Sequence, residues 1–395
     1  MTFIPGDFGF TDDHDLLRAS ARRLLAERSP LTAVRRLVDD ELGYDRALYA
    51  ELAELGWVGL ALPEELGGAG LDTLGLALLF DETGRCLLPS PLLASALAAL
   101  AIELAGDDER QAAWCPRIAG GELVASVALT EPGAAWGAGG VAAVAEVAGD
   151  ELRLRGRKDH VMWGAAAGLI VAPFRLGEGG PVALLAVDPS GPGITVEPEV
   201  SIDSTRRMAR VTFDGARVPR SALLEERAAE TVDQLHWRGA ALLAAEMTGG
   251  AEAVLGLTRT YATERVQFNR PIGSFQAVKH PIVNMMLDVE LARSLALAAA
   301  AAIDNDPTEC ERPARMAKAF ASDAFPAAAG VAIQLHGGFG FTWDCDAHFY
   351  LKRALWSRAS FGDAVHHRRA LAASLFDNDT GELADLGEVG LSMTL

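Results

Sequence analysis

Residues 264–280, ERVQFNRPIGSFQAVKH, place charged, amide and aromatic side chains in a short break between two apolar-periodic stretches. Arg265 offers a planar, permanently charged guanidinium that can hold an oxyanion through paired hydrogen bonds. Gln267 adds an amide, and Phe268 adds a flat apolar face. These residue types predict a site that binds a charged ligand. The alternative is that Arg265 makes an ordinary surface ion pair.

A second segment, QLHGGFGFTWD at residues 334–344, combines an amide with consecutive glycines. Gln334 can donate and accept hydrogen bonds. Gly337 and Gly338 have no side chain, so a ligand can approach the backbone closely there. The alternative interpretation is that the two glycines only end a helix.

The elements that must position these residues follow from the hydrophobic pattern, which changes twice along the chain. From residue 11 to about 120 the apolar residues recur at spacings of three and four, with Thr11 placed as an N-cap, so this part is predicted helical. Residues 122–220 alternate β-branched and polar residues between Gly, Pro and Asp turns, which predicts strands. Long helical periodicity returns at 232–263, 275–304, 310–336 and 345–376.

The predicted fold class is therefore α+β and mainly helical. We expect an N-terminal helical domain (1–121), a central antiparallel β domain (122–221) and a C-terminal four-helix bundle (222–395).

Composition limits the classes of partner. The 395 residues include 35 Lys and Arg against 54 Asp and Glu, a formal net charge of −19. This balance argues against general binding of nucleic acid or of an anionic membrane. The four cysteines form no C-x-x-C pair, as is usual for reduced thiols in the cytoplasm. We expect a soluble, cytoplasmic protein with no metal site, in which His366 and His367 belong to a solvated basic face.

The order of these motifs and domains resembles the acyl-CoA dehydrogenase flavoprotein family. The resemblance spans the whole chain and includes LPEELGGAGL (62–71), ALTEPG (128–133) and GRKDHVMWG (156–164), besides the two segments above. It implies FAD as cofactor and oxidation of an acyl thioester to a trans-2-enoyl product. In this family a carboxylate removes the α-proton while the β-hydrogen leaves as hydride to the flavin.

The same resemblance assigns the two segments to cofactor binding between subunits. The segments matching Arg265, Gln267 and Phe268, and matching Gln334, Gly337 and Gly338, reach a neighbouring subunit's FAD. The residues that would meet this subunit's own flavin depart from the family. Thr130 is retained, but the usual Gly-Ser-Asp after it is missing, and Trp136 adds bulk. Val161 and Met162 stand where the family has an apolar residue and a hydroxyl.

Neither family position for the catalytic base holds a glutamate. The commonest position falls at the start of Phe361-Gly362-Asp363, and a second position falls at Gly239. Asp363 and Glu246 are the candidate substitutes for the base. Asp363 is two residues from the expected base and has a shorter side chain. Glu246 lies on an apolar helix face, where the alternative is a buried carboxylate hydrogen-bonded to a neighbouring helix.

Three functions remain open. The leading hypothesis is a cofactor-completing subunit of a heteromeric acyl-CoA dehydrogenase whose partner, a second subunit of the same kind, supplies the glutamate. The others are a self-sufficient homo-oligomeric dehydrogenase using Asp363 or Glu246, and a non-catalytic scaffold. The resemblance also implies electron-transfer flavoprotein as electron acceptor. CoA and acyl carrier protein stay open as carriers of the thioester.

Overall fold

The N-terminal part of the chain is helical, as its apolar spacing predicts. The computed structural model describes residues 8–305 and 309–376. Thr11 is the N-cap of the first helix, and its backbone N–H donates to His14 Nδ1 at 3.1 Å. From residue 8 onwards, this part has six helices: α1 (Asp12–Arg28), α2 (Leu31–Leu37), α3 (Arg46–Glu54), α4 (Thr73–Arg85), α5 (Leu92–Ala105) and α6 (Asp108–Ala119).

The central part forms one eight-stranded sheet. Its strands are β1 (Ala125–Val127), β2 (Val144–Ala148), β3 (Glu151–Met162), β4 (Leu169–Leu176), β5 (Val182–Val187), β6 (Ile194–Glu199), β7 (Met208–Pro219) and β8 (Leu223–Glu225). They are ordered β6-β7-β3-β2-β4-β5-β8, with β1 on β4. The last strand, β8, lies beyond residue 221. The predicted boundary between the β domain and the helical bundle at 221/222 stays a prediction.

The sheet is mixed, although most neighbouring strands are antiparallel as predicted. The pairs β1·β4 and β2·β4 are parallel. The parallel β2·β4 pair arises because β3 pairs with β2 on one edge and with β7 on the other. After β3 the chain reverses direction, and β4 therefore has to pair beyond β2, to which it runs parallel.

Among residues 229–305 and 309–376, the C-terminal part contains five helices and a small hairpin. The elements are α7 (Ala229–Glu264), β9 (Val266–Gln267), β10 (Arg270–Pro271), α8 (Gln276–Asn305), α9 (Glu311–His336), α10 (Ala347–Ala359) and α11 (Ala364–Phe376). The single helix predicted over 345–376 is two helices, because Phe361 and Gly362 have φ of +55° and +87°. Left-handed backbone at two successive residues ends α10 and turns the chain into α11.

Helix α7 is the central helix of the molecule. It is long and apolar enough to cross a bilayer, but 72% of its most apolar window is buried inside the protein. It packs against α4, α8 and α9. Glycines let α4 and α7 approach closely: a Cβ added at Gly249 would lie 1.7 Å from the carbonyl oxygen of Asp81. This packing joins the N-terminal helices to the bundle.

We predict that Gly249→Ala destabilises the protein by about 1–3 kcal/mol or more, because the added methyl group forces α4 and α7 apart. Gly256→Ala on the same helix is the matched control, since a Cβ there meets no atom within 4 Å. It should stabilise by up to ~1 kcal/mol through helix propensity. Denaturant unfolding measures both changes. Equal effects of the two substitutions would contradict the close packing.

Candidate active site

A cleft of about 970 Å³ opens between the β domain and α10. One wall comes from the segment after β1 and from the end of β3, and the opposite wall comes from α10 and the turn that follows it. Its lining comprises Val127, residues 129–136, Asp159, His160, Met162, residues 198–202, Met208, Arg210, Leu355, Trp356 and residues 359–361. The cleft is large enough to hold a flat ring system between its aromatic and aliphatic side chains.

Two of the three residues expected to meet this subunit's own flavin, Thr130, Val161 and Met162, line this cleft. Thr130 and Met162 are on its surface, and the carbonyl oxygen of Thr130 accepts the N–H of Asp159 at 2.9 Å. Val161 does not line it, because successive side chains on β3 point to opposite faces and Val161 is fully buried in the core of the sheet. Its role in cofactor binding therefore stays a prediction from sequence alone.

A buried ion pair holds the wall that carries Thr130. Lys158 Nζ donates to Glu131 Oε1 at 2.5 Å and to the carbonyl oxygen of Pro173 at 2.6 Å, and the Lys158 side chain is fully buried. Burial lowers the pKa of Lys158 to about 8, although Glu131 acts in the opposite direction. Sequence analysis did not single out Lys158. The pair fixes the loop after β1 against β3 and β4.

The two positions that the family resemblance assigns to the catalytic base lie against each other at the floor of the cleft, which Phe361 lines. A Cβ added at Gly239 would lie 2.6 Å from Cε1 of Phe361, so the phenyl ring occupies the space that a longer side chain at 239 would need. Phe361 lines the cleft. Beside it, the rings of Trp136 and His236 stack with their centroids 5.2 Å apart. This floor is aromatic and holds no carboxylate at either position.

Asp363 is part of the turn and acts as a helix cap. Its Oδ1 accepts the backbone N–H of His366 at 2.8 Å, at the start of α11. That hydrogen bond holds the pKa of Asp363 below its ordinary value. Asp363 does not line the cleft, whereas Ser360 and Phe361 do. A capped carboxylate of lowered pKa outside the cleft is poorly placed to abstract a proton.

Glu246 lies in a fully buried ion-pair network. It accepts from Arg206 and, at 2.6 Å, from Arg353, which also bonds Asp203 and donates to Thr205 Oγ1 at 2.6 Å. Burial alone would raise the pKa of Glu246, but the charges of Arg206 and Arg353 hold it below its ordinary value. Glu246 does not line the cleft. This environment corresponds to the alternative that sequence analysis left open.

The network nevertheless shapes the cleft. Arg353 and Trp356 belong to α10, and the guanidinium of Arg206 lies 5.0 Å from the centroid of the Trp356 ring. The segment between β6 and β7 carries Asp203 and Arg206 and lines the cleft through residues 200–202. Two walls of the cleft are thus tied to α7 through one buried cluster of charges.

The prediction that His366 and His367 belong to a solvated basic face is wrong for His367. His367 is buried, and its Nε2 lies 2.9 Å from the carbonyl oxygen of Phe361, while burial lowers its pKa to about 3. Behind it, Lys318 Nζ donates to the carbonyl oxygen of Gly362 at 2.8 Å. These contacts hold the turn that presents Phe361. Within the described residues, no group of three His, Cys, Asp or Glu is arranged to bind a metal ion.

The six residues expected to reach a neighbouring subunit's FAD lie elsewhere, on an exposed surface at the far end of α7. The surface consists of Arg265, Gln267, Phe268, Gln334, Gly337 and Gly338, all exposed. Tyr261 joins its two segments: its ring stacks on His336 with centroids 4.3 Å apart, and its carbonyl oxygen accepts the N–H of Arg265 at 2.8 Å. We call these six residues the distal surface. None of them lines the cleft.

The distal surface fits a dinucleotide. The guanidinium of Arg265 forms no ion pair with any described residue. Gly337 has φ of +61°, and neither it nor Gly338 has an atom within 4 Å of an added Cβ, so bare backbone faces open space. Phe268 is 87% exposed and also has a left-handed backbone, which is an unusual state for a bulky residue. These are the features that a pyrophosphate and a flat ring require.

The cleft fits a flavin less well. Met162 offers only a weak hydrogen-bond acceptor at the position where the family resemblance implies a hydroxyl. Glu131, Asp159 and Glu199 add carboxylates to its lining, although each has a cationic partner. Thr130 retains a hydroxyl that can form a hydrogen bond to the polar edge of a flavin ring.

Comparison with known proteins identifies the family. Residues 11–122 match the acyl-CoA dehydrogenase N-terminal domain, and residues 231–376 match the acyl-CoA dehydrogenase C-terminal domain. The acyl-CoA dehydrogenase IpdE2 of Mycolicibacterium smegmatis is 31% identical over 373 residues, 93% of this chain and 100% of its own length. The chain belongs to the acyl-CoA dehydrogenase family.

Solved structures of the family superpose closely. A variant of the Tcur3481-Tcur3483 steroid ACAD has a TM-score of 0.84 at 29% identity, covering 93% of this chain and 98% of its own. The ChsE4-ChsE5 complex from Mycobacterium tuberculosis has a TM-score of 0.86 at 26% identity, covering 95% and 99%. The predicted fold class, the oxidoreductase class and the FAD cofactor are confirmed at the level of the family.

We predict that Glu246→Gln destabilises the protein by about 3–5 kcal/mol, because two buried arginines lose their shared counter-charge. Since the pKa of Glu246 is lowered in the folded state, its contribution is complete above its unfolded-state pKa of ~4.3 and is lost as pH falls through the folded-state pKa. Unfolding measured against pH tests both statements.

Glu264→Gln is the matched control, since Glu264 is exposed at the end of the same helix. It should change the free energy of unfolding by less than ~0.5 kcal/mol. A similar small effect of Glu246→Gln at neutral pH would contradict the role given to the network.

Proposed function

We propose that this chain is the cofactor-completing subunit of a heteromeric, FAD-dependent acyl-CoA dehydrogenase, and that a partner subunit of the same fold supplies the catalytic glutamate. The observation that carries the proposal is the contact between Phe361 and Gly239. By the family resemblance these two residues stand at both positions of the catalytic base. Neither is a carboxylate, and the Phe361 ring fills the space that a longer side chain at 239 would need.

The positions of the cleft and the distal surface support the division of roles. His236 stacks on Trp136 at the cleft, and Arg265 lies at the other end of the same helix. The residues between them extend about 40 Å at ~1.5 Å per residue, which is more than one dinucleotide spans. The distal surface of this chain therefore serves a dinucleotide whose flavin lies in another subunit.

An exposed apolar stripe supplies a contact face for that subunit. Val283, Met286, Leu287 and Leu291 recur at helical spacing on α8 and are between 46% and 54% exposed. Exposed apolar side chains in such a row mark an interface between proteins. The two-chain names of the Tcur3481-Tcur3483 enzyme and the ChsE4-ChsE5 complex favour an unlike partner over a second copy of this chain.

Within this arrangement the residues of the chain have separate tasks. Arg265 holds the pyrophosphate of FAD, Phe268 covers a flat ring, and Gly337 and Gly338 admit the dinucleotide to the backbone. When bound, FAD accepts the hydride from the β-carbon of the acyl thioester. We extend the proposal to electron-transfer flavoprotein as acceptor, and to CoA or acyl carrier protein as carrier of the thioester.

We predict that Arg265→Ala in the assembled complex weakens FAD binding at least tenfold, because a charge-assisted contact to the pyrophosphate is lost. Dehydrogenase activity should fall with it and recover in excess FAD. Flavin absorption after desalting measures retention. Arg259→Ala is the matched control, since Arg259 is exposed six residues earlier on the same helix. The proposal is wrong if the chain expressed alone retains flavin and dehydrogenates acyl-CoA.

The runner-up, a self-sufficient enzyme with Asp363 as base, makes a different prediction. Asp363 is an ionised helix cap outside the cleft, and asparagine also caps helices well. We therefore expect Asp363→Asn to leave kcat of the assembled enzyme within about twofold, far from the loss that follows removal of a base. A fall of a hundredfold or more in a folded variant would establish Asp363 as the base and would reject the partner-supplied glutamate.

A further inference from the structure

A second, smaller cavity lies between the N-terminal helices and the bundle, away from the cleft. It has a volume of about 180 Å³ and is bounded by the segment 58–62, the start of α4, α5, α7 and the end of α8. Most of its lining is aliphatic, including Leu76, Leu100 and Leu242. Its charged lining residues are Arg238 of α7, Glu103 of α5, Asp304 of α8 and Asp72.

Arg238 is an unusual residue in such a wall. Its Nε is fully buried and has no hydrogen-bond partner among the described residues, and its guanidinium forms no ion pair with Glu103 or with Asp304. A buried polar group without a partner costs about 1–3 kcal/mol, so native proteins normally satisfy such groups by a partner, a water molecule or a ligand. An acceptor bound in the cavity would satisfy this unpartnered nitrogen.

The neighbouring carboxylates Glu103 and Asp304 act on Arg238 through their charge but form no ion pair with it. Asp304 accepts the backbone N–H groups of Thr73 and Leu74 at 2.9 and 3.0 Å, at the start of α4. Glu103 lines the cavity without forming an ion pair to any residue in the described part of the chain. Burial raises the pKa of Glu103, although Arg238 acts in the opposite direction. Burial thus shifts Glu103 towards the neutral form, which can donate a hydrogen bond.

A third acidic residue, Asp72, also lines the cavity but has its own partners. Its Oδ1 accepts the backbone N–H of Gly75 at 2.8 Å and lies 2.8 Å from His14 Nε2. These contacts hold Asp72 at the start of α4, so it does not compete with a ligand for Arg238.

We propose that this cavity binds a short aliphatic carboxylate, with its carboxylate on Arg238 and its hydrocarbon chain between Leu100 and Leu242. The planar guanidinium matches a carboxylate. The aliphatic lining favours a hydrocarbon chain over inorganic phosphate, which would leave polar oxygens against leucine side chains. The site is separate from the cleft and from the distal surface, and it does not depend on the function proposed above.

Titration calorimetry of the full-length protein, assembled as it is purified, tests the site with sodium butanoate as probe. We expect saturable binding of butanoate and none of butan-1-ol or inorganic phosphate at the same concentration. Arg238→Met should weaken butanoate binding at least tenfold. Arg312→Met is the matched control, because Arg312 is an exposed arginine of α9 with no ion pair to a described residue. This variant should bind butanoate as tightly as the unmodified protein does.

Arg238→Lys guards against a folding defect. It keeps the charge but loses the planar fork, and it should bind more weakly than the unmodified protein and more tightly than Arg238→Met. Circular dichroism establishes that each variant is folded. The proposal is overturned if butanoate shows no saturable binding, if Arg238→Met binds it unchanged, or if phosphate binds as tightly as butanoate.

Discussion

The buried network of Glu246, Arg206, Arg353 and Asp203 is the interaction on which the rest of the structure depends. It joins α7 to α10 and to the segment between β6 and β7, three elements that are far apart in sequence. Charges removed from water are costly unless each is paired and hydrogen-bonded, and here every carboxylate has an arginine partner. Because two walls of the cleft come from these elements, their relative positions follow from this cluster rather than from the loops that line the cleft.

The network also explains why Glu246 is poorly suited to act as a catalytic base. A base has to be free to take a proton, and Glu246 is held in its ionised form by two guanidinium groups. Asp363 is fixed in a similar way by the backbone at the start of α11. The floor of the cleft is formed by Phe361 and Trp136, with Gly239 and His236 packed against them. The exposed distal surface, in contrast, keeps an arginine without an ion pair to the described residues, together with open glycines.

The three parts of the fold were predictable from the amino-acid pattern, because helical and alternating periodicity are strong over long segments. The residue types of the distal surface were also recognisable as suited to a dinucleotide. The break at Phe361 and Gly362 was not predictable, since left-handed backbone at a phenylalanine has no sequence signal. Nor was the place of β4 beside β2, because strand order depends on which edges remain free. The partners of Glu246 could not be predicted either, because Arg206 and Arg353 are 40 and 107 residues away in sequence.

The central claim is that this chain completes a cofactor site seated in another subunit while its own cleft has no base. Native mass spectrometry of the complex, purified with its partner, tests the claim most directly by counting FAD per assembly. The account predicts one FAD for each pair of unlike chains, and none bound to this chain in isolation. One FAD for every chain, or a flavin-loaded homo-oligomer of this chain that oxidises acyl-CoA, would contradict it.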